Sequence, residues 1–239
     1  VGRFQEARQT AERVESNNLR SQVLAQIAQA LDASGRTEEA HKTFQEAKLS
    51  AYRIEYDFYG AIPHTLSNIA QSMYACGRLQ DSKNTFKEAI LLANHLEYFI
   101  LFNRYRVFSR IAQAMAASEM TLEAQNTFQE ALRSAYHTKP NHIRPEALVQ
   151  VAQAMASTNQ EIANEAFQMI GNNPPMMEEP IVRAIAKGCA SRMDAETLRR
   201  VVSLAARFID AAIGMFGHLA TCYPSRAVEV GEEFRRATG

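Results

Sequence analysis

The most regularly spaced polar side chains in this chain are amides. Gln29, Gln71, Gln113 and Gln153 lie 42, 42 and 40 residues apart, and Gln26, Asn68 and Gln150 each stand three residues before one of them. An amide offers both a donor and an acceptor but no titratable proton, so this pattern suits recognition of a polar backbone rather than bond-breaking chemistry. The same register holds His64 in the second segment and Arg106 and Arg110 in the third, with Lys187 continuing the series. Together with Arg104, the arginines form a local basic patch suited to a carboxylate or phosphate on a ligand.

Side chains that could carry catalysis are not arranged for it. The six histidines (His41, His64, His95, His137, His142, His218) show no HExxH or other metal-ligand spacing, and His137 and His142 share one loop without further ligands. No phosphate-binding Walker loop is present, and Gly214-Met215-Phe216-Gly217 has no preceding strand to make it a dinucleotide fingerprint. Cys222, just before Tyr223-Pro224, stands near a helix start where a thiol pKa can fall, but a buried inert thiol is the simpler reading. The acidic pairs Glu178-Glu179 and Glu232-Glu233 read as solvated helix faces. No enzyme activity, metal or cofactor is expected.

The bulk composition narrows the partner class. The 26 basic residues balance 26 acidic ones, which disfavours a protein that grips phosphates for a living, whether DNA or RNA. Cys76, Cys189 and Cys222 are odd in number, far apart and without CxxC spacing, so they read as reduced core thiols in a cytoplasmic protein. No uninterrupted apolar run approaches the roughly 18 residues of a membrane span. No signal peptide is visible in a chain that begins at Val1.

The amides are carried on a repeat. The segments Ile27-Ala28-Gln29-Ala30, Ile69-Ala70-Gln71-Ser72, Ile111-Ala112-Gln113-Ala114 and Val151-Ala152-Gln153-Ala154 nearly superimpose. A second motif keeps step with them: Phe4-Gln5-Glu6-Ala7, Phe44-Gln45-Glu46-Ala47, Phe86-Lys87-Glu88-Ala89 and Phe128-Gln129-Glu130-Ala131. Two motifs holding one period mark a solenoid, in which each unit buries its apolar face against its neighbours. Within a unit the period is helical, since Leu24, Ile27, Ala28 and Leu31 fall at i, i+3, i+4 and i+7. Gly35 and Gly77 are placed to end the first helix. Ala40, Phe44, Ala47 and Ala51 form the apolar side of the second, whose first turn holds the acidic Glu38 and Glu39. The corner Ile54-Glu55-Tyr56, repeated as Leu96-Glu97-Tyr98, closes that helix, and Pro63 and Pro145 suit the first turn of the helix that follows. At 100° per residue, Gln22, Gln26, Gln29 and Ala33 fall opposite the apolar side of the first helix, as do their counterparts in later units.

These residues resemble the tetratricopeptide repeat family. Leu24, Ile27-Ala28, Leu31, Gly35, Ala40, Phe44 and Ala47 follow its spacing, and so do Leu66, Ile69-Ala70, Met73, Gly77, Ser82, Phe86 and Ala89. A third copy runs from Phe108 to Ala131 and a fourth from Leu148 to Phe167. A degenerate fifth comprises Val182, Ile185-Ala186, Cys189, Leu198, Val202 and Ala205. Ala replaces the family's helix-A Gly, Trp is absent, and units of about 42 residues are similar to the extended form in kinesin light chains rather than the standard form of about 34. The resemblance implies an all-α, right-handed superhelical solenoid of antiparallel helix pairs. Residues 1–173 would hold the repeats, entered midway through a unit, so that further repeats or another domain are expected upstream. Residues 174–239, opened by Pro174-Pro175, would hold a shorter degenerate repeat and a capping helix pair with Gly214, Gly217 and Pro224-Ser225.

In that family the first helix of each pair lines the concave surface, which would set Gln26, Gln29, His64, Asn68, Gln71, Arg106, Arg110, Gln113, Gln150, Gln153 and Lys187 along a groove. Small residues at Ala33, Ala75, Ala117 and Ser157 would leave room for an extended peptide. The expected role is a protein-interaction scaffold whose partner is a protein, a peptide or another domain of the same polypeptide. A sensor or regulatory domain of a larger NTPase or DNA-binding protein is the first alternative, and an RNA-binding helical repeat the second.

Overall fold

A computed structural model describes residues 2–55, 60–96, 104–139, 141–171, 175–189 and 199–203, with positions 228, 231–232 and 235–236 near the C-terminus. Its main elements are α1 (Gly2–Glu12), α2 (Asn17–Ala33), α3 (Thr37–Tyr52), α4 (Ala61–Ala75), α5 (Leu79–Asn94), α6 (Arg104–Ala117), α7 (Thr121–Tyr136), α8 (Arg144–Ala156), α9 (Gln160–Gly171) and α10 (Pro175–Cys189). A 3-10 turn over Asn141–Ile143 leads into α8. There is no strand among the described residues, and no described helix is long and apolar enough to cross a membrane. The chain divides into two compact units, Val1–Ser134 and Ala135–Gly239. The segment Glu97-Tyr98, Tyr56, and the expected cap residues Gly214, Gly217, Cys222 and Pro224 lie outside the described residues.

In the first unit the turns between paired helices share one closure. Gly35 has φ 79° and Gly77 φ 72°. The next residue's N–H returns to the carbonyl five back, Arg36 to Leu31 and Arg78 to Met73, both at 3.0 Å. This left-handed stop satisfies carbonyls that the helix end leaves open. The third turn makes the same bond, Met120 N–H to the Met115 carbonyl at 3.0 Å, with Glu119 at φ 55° in the glycine position. At the other end of α2, Ser16 is extended and its hydroxyl accepts from the Leu19 N–H at 3.4 Å, an ordinary N-cap.

Helices pack in adjacent pairs, α2 on α3 and α4 on α5. The first helix of each pair also meets the next first helix, α2 on α4 and α4 on α6, while α3 and α5 each touch the first helix of the following pair. Leu24, Ala28, Leu31, Ala40, Phe44 and Ala47 are buried together with their counterparts one and two periods on, and Phe44, Phe86 and Phe128 are fully buried. Each such ring contributes about 1.5–3 kcal/mol by leaving water. Burial on the first helices is broader than one apolar face. Ala25, Ser67 and Ser109, which hold one position in successive repeats, are buried too, because a second first helix lies against that side. The threonine before each phenylalanine is also buried, and Thr43, Thr85 and Thr127 each donate to the carbonyl four residues back at 2.8 Å. Thr127 further reaches Met115 Sδ at 3.4 Å, tying α7 to α6.

In the second unit α8 packs on α9, and α10 packs on both. Val151, Ala152 and Met155 are buried, as are Ile162, Ala163 and Phe167 of α9 and Val182, Ile185 and Ala186 of α10. Gly188 sets how closely α10 approaches α8: a Cβ there would lie 2.5 Å from the Gln153 carbonyl oxygen. Cys189 is buried. Cys76 corrects the core-thiol expectation, since it is only half-buried at the C-cap of α4. Its pKa is raised by burial and secondarily by Asp32, against the opposing charge of Arg78.

Candidate functional site

In the first unit the contacts of α2 with α4 and of α4 with α6 bring the repeated amides onto neighbouring helices. An open depression of ≈ 400 Å³ is lined by Gln29, Asn68, Gln71, Tyr74, Ala75 and Ala117, with Ser72 and Ser118 completing it. Ala75 and Ala117 are exposed, so the helix backbones are reachable from solvent at those points. Gln26 is exposed, while Gln29, Asn68, Gln71 and Gln113 are half-buried. The side chains of Gln26, Gln29, Asn68 and Gln71 make no hydrogen bond to another described residue, so their donors and acceptors are open to water or ligand. Sequence reasoning passed over Tyr74, whose hydroxyl donates to Glu119 Oε2 at 3.0 Å. That bond first, and partial burial second, raise the phenol pKa. Tyr74 stands three residues after Gln71, and that spacing could have marked it as a neighbour on the same helix face.

The basic corner is smaller than the sequence suggests. Arg104 is committed to the fold, donating to Asn94 Oδ1 at 2.7 Å and lying 5.5 Å over the Phe108 ring. Arg106 is exposed but donates to the Tyr105 hydroxyl at 3.0 Å. Arg110 is exposed and close enough to His64 for its charge to act there. Burial first and the Arg110 guanidinium second hold the His64 imidazole below its usual pKa, so it is neutral at pH 7.

The remaining members of the series belong to the second unit. Gln150 is half-buried and donates to Glu146 Oε1 at 2.8 Å, Gln153 is half-buried on α8, and Lys187 is exposed in the last turn of α10. Ser157 is exposed as the C-cap of α8.

The opposite side of the first unit uses its polar groups differently. Arg8 pairs with Glu46, Lys48 Nζ lies 2.8 Å from Glu88, and Lys83 Nζ lies 3.8 Å from Glu123. His41 Nδ1 stands 3.6 Å from Asp81. Each pair joins the second helix of one unit to that of the next. Among the described residues no group of three or more His, Cys, Asp and Glu side chains could hold a metal ion. His137 and His142 are exposed, and the side chains of Glu178 and Glu179 lie outside the described residues. No protein-family model matches this chain, and neither a curated protein nor a solved structure matches it.

Proposed function

We propose that this chain is a tetratricopeptide-like interaction module and that the amide face of α2, α4 and α6 holds an extended segment of a partner protein. The observation that carries the reading is the depression lined by Gln29, Asn68 and Gln71, whose amides have no hydrogen-bond partner among the described residues. A peptide backbone alternates donors and acceptors along its length, and an amide can answer either. Exposed alanines at 33, 75 and 117 let that backbone approach the helices without a steric rim. Arg110, beside the neutral His64, favours a carboxylate on the bound segment.

The test is selection from a random peptide display library on the intact protein, followed by calorimetry on the selected peptide. Gln29→Ala with Gln71→Ala should weaken that peptide by about thirtyfold, each lost hydrogen bond being worth on the order of 1 kcal/mol. The control pair Gln45→Ala with Gln129→Ala, exposed amides on the second helices, should leave affinity unchanged. Arg110→Ala should weaken an acidic peptide more at low salt than at high salt. Undiminished binding by the Gln29/Gln71 variant overturns the proposal.

A further inference from the structure

The second helices of the first unit pack by a rule that holds twice and then breaks. Arg36 lies 5.2 Å over the Phe4 ring, and one period on Arg78 lies 6.0 Å over Phe44. Four residues beyond each of those phenylalanines a second cation crosses to the next helix, Arg8 to Glu46 and Lys48 to Glu88. Long basic stems thus cover the seam between successive second helices from two directions. At the third seam both positions change together. Met120 stands where Arg36 and Arg78 stood, and Ile90 stands where Arg8 and Lys48 stood. Both replacements are apolar, and neither reaches as far.

A cleft of ≈ 390 Å³ opens there, between α5 and α7. Its lining includes Ile90, Phe108, Met115 and Met120, with Lys83, Lys87, Glu123 and Glu130 among the polar groups around them. The size falls within the roughly 300–1,000 Å³ of small-molecule sites. Two methionines give it an adaptable wall with a preference for aromatic contacts. The charges nearby are mostly spent. Lys83 pairs with Glu123 at 3.8 Å, and Glu130 pairs with Arg133 at 2.8 Å. Lys87 is exposed and has no partner among the described residues. The cleft is therefore apolar inside, with one uncommitted positive charge at its edge.

We propose that this cleft is a binding site for a small apolar carboxylate, its hydrocarbon part against Ile90, Met115 and Met120 and its carboxylate at Lys87. The inference does not rest on the amide face: the two sites share α6, but no residue that lines the cleft also lines the amide depression.

The probe is 4-phenylbutyrate, titrated into the intact protein carrying methyl-labelled methionine. Met115 and Met120 methyl signals should shift saturably, while those of Met155 and Met169 stay in place. Ile90→Lys with Met120→Arg restores the residue types of the two earlier seams and should abolish binding by calorimetry while helicity is retained. Ile90→Lys alone provides the same test should the double variant not fold. Lys87→Met should weaken 4-phenylbutyrate by about two- to fivefold, as loss of an exposed ion pair does, and leave the neutral 4-phenylbutan-1-ol unaffected. Absence of a saturable methyl shift up to millimolar acid, or undiminished binding by the refilled variants, overturns the site. Equal effects of Lys87→Met on acid and alcohol overturn the carboxylate assignment.

Discussion

Along α2 and α4, Gln26, Gln29, Asn68 and Gln71 recur at the repeat interval and bond to nothing else among the described residues. Along α3, α5 and α7, side chains recurring at the same interval are joined across helices, as in Lys48 with Glu88 and Lys83 with Glu123. Repetition alone does not distinguish the two faces. On the charged face Arg8, Lys48 and Lys83 are each paired with a carboxylate of the next second helix. On the amide face Gln26, Gln29, Asn68 and Gln71 have no such partner among the described residues, and this is why recognition is proposed there. The third seam obeys the same logic in reverse: where Ile90 and Met120 replace the two basic stems of the earlier seams, a cleft remains.

The largest effect that sharpens this contrast is expected from Phe86→Ala, beneath the charged face. Its ring is fully buried, so urea unfolding should show a loss of about 3–5 kcal/mol. A loss below about 1 kcal/mol would mean that this side is not the packed one. Gly60→Ala should follow. Gly60 caps α4 with φ 68°, and a Cβ there would lie 2.3 Å from Val107 Cγ2 on α6. Strain and overpacking together predict about 1–3 kcal/mol, with the amide face disturbed because α4 and α6 must separate. An unchanged midpoint would break the account of how these helices are held together.

Glu88→Gln is expected to be smaller, at about 1 kcal/mol or less, because the Lys48 pair is partly exposed. It carries a second readout. The Tyr52 phenol is pushed up to about 12, by burial first and by its 2.7 Å bond to Glu88 second. An alkaline absorbance titration of the variant should bring Tyr52 part of the way back to the ordinary phenol value. No movement would remove Glu88 as a cause. The smallest effect belongs to the amides: Gln29→Ala with Gln71→Ala should change stability by about 0.5 kcal/mol or less, since neither side chain bonds to another described residue. A loss well above that would make the amide face structural and end the comparison.

The candidate site was only partly legible. Helical spacing of Gln26, Gln29, Asn68 and Gln71 set them opposite the buried positions, and none of them is buried. Spacing could not show that Arg104 is bonded to Asn94 at the end of α5, nor that Tyr74 lines the depression. Cys76 was misplaced for a related reason. Its apolar character suggested the core, but it falls one residue beyond α4, at a cap that packing covers only in part.

The sequence by itself determined the helices, their stops at Gly35 and Gly77, and the buried rows ending in Phe44, Phe86 and Phe128. Those features depend on residues within about two turns of one another, where the 3.6-residue period governs which side chains share a face. The tertiary structure alone decided which repeated polar groups are consumed, as Lys48 is by Glu88 forty positions away. It also decided that Ile90 and Met120, thirty residues apart in the chain, border one cleft, and that Gly188 meets the backbone of α8. Such pairings follow from how whole helices settle against each other over their buried faces, and no period within one helix encodes that distance.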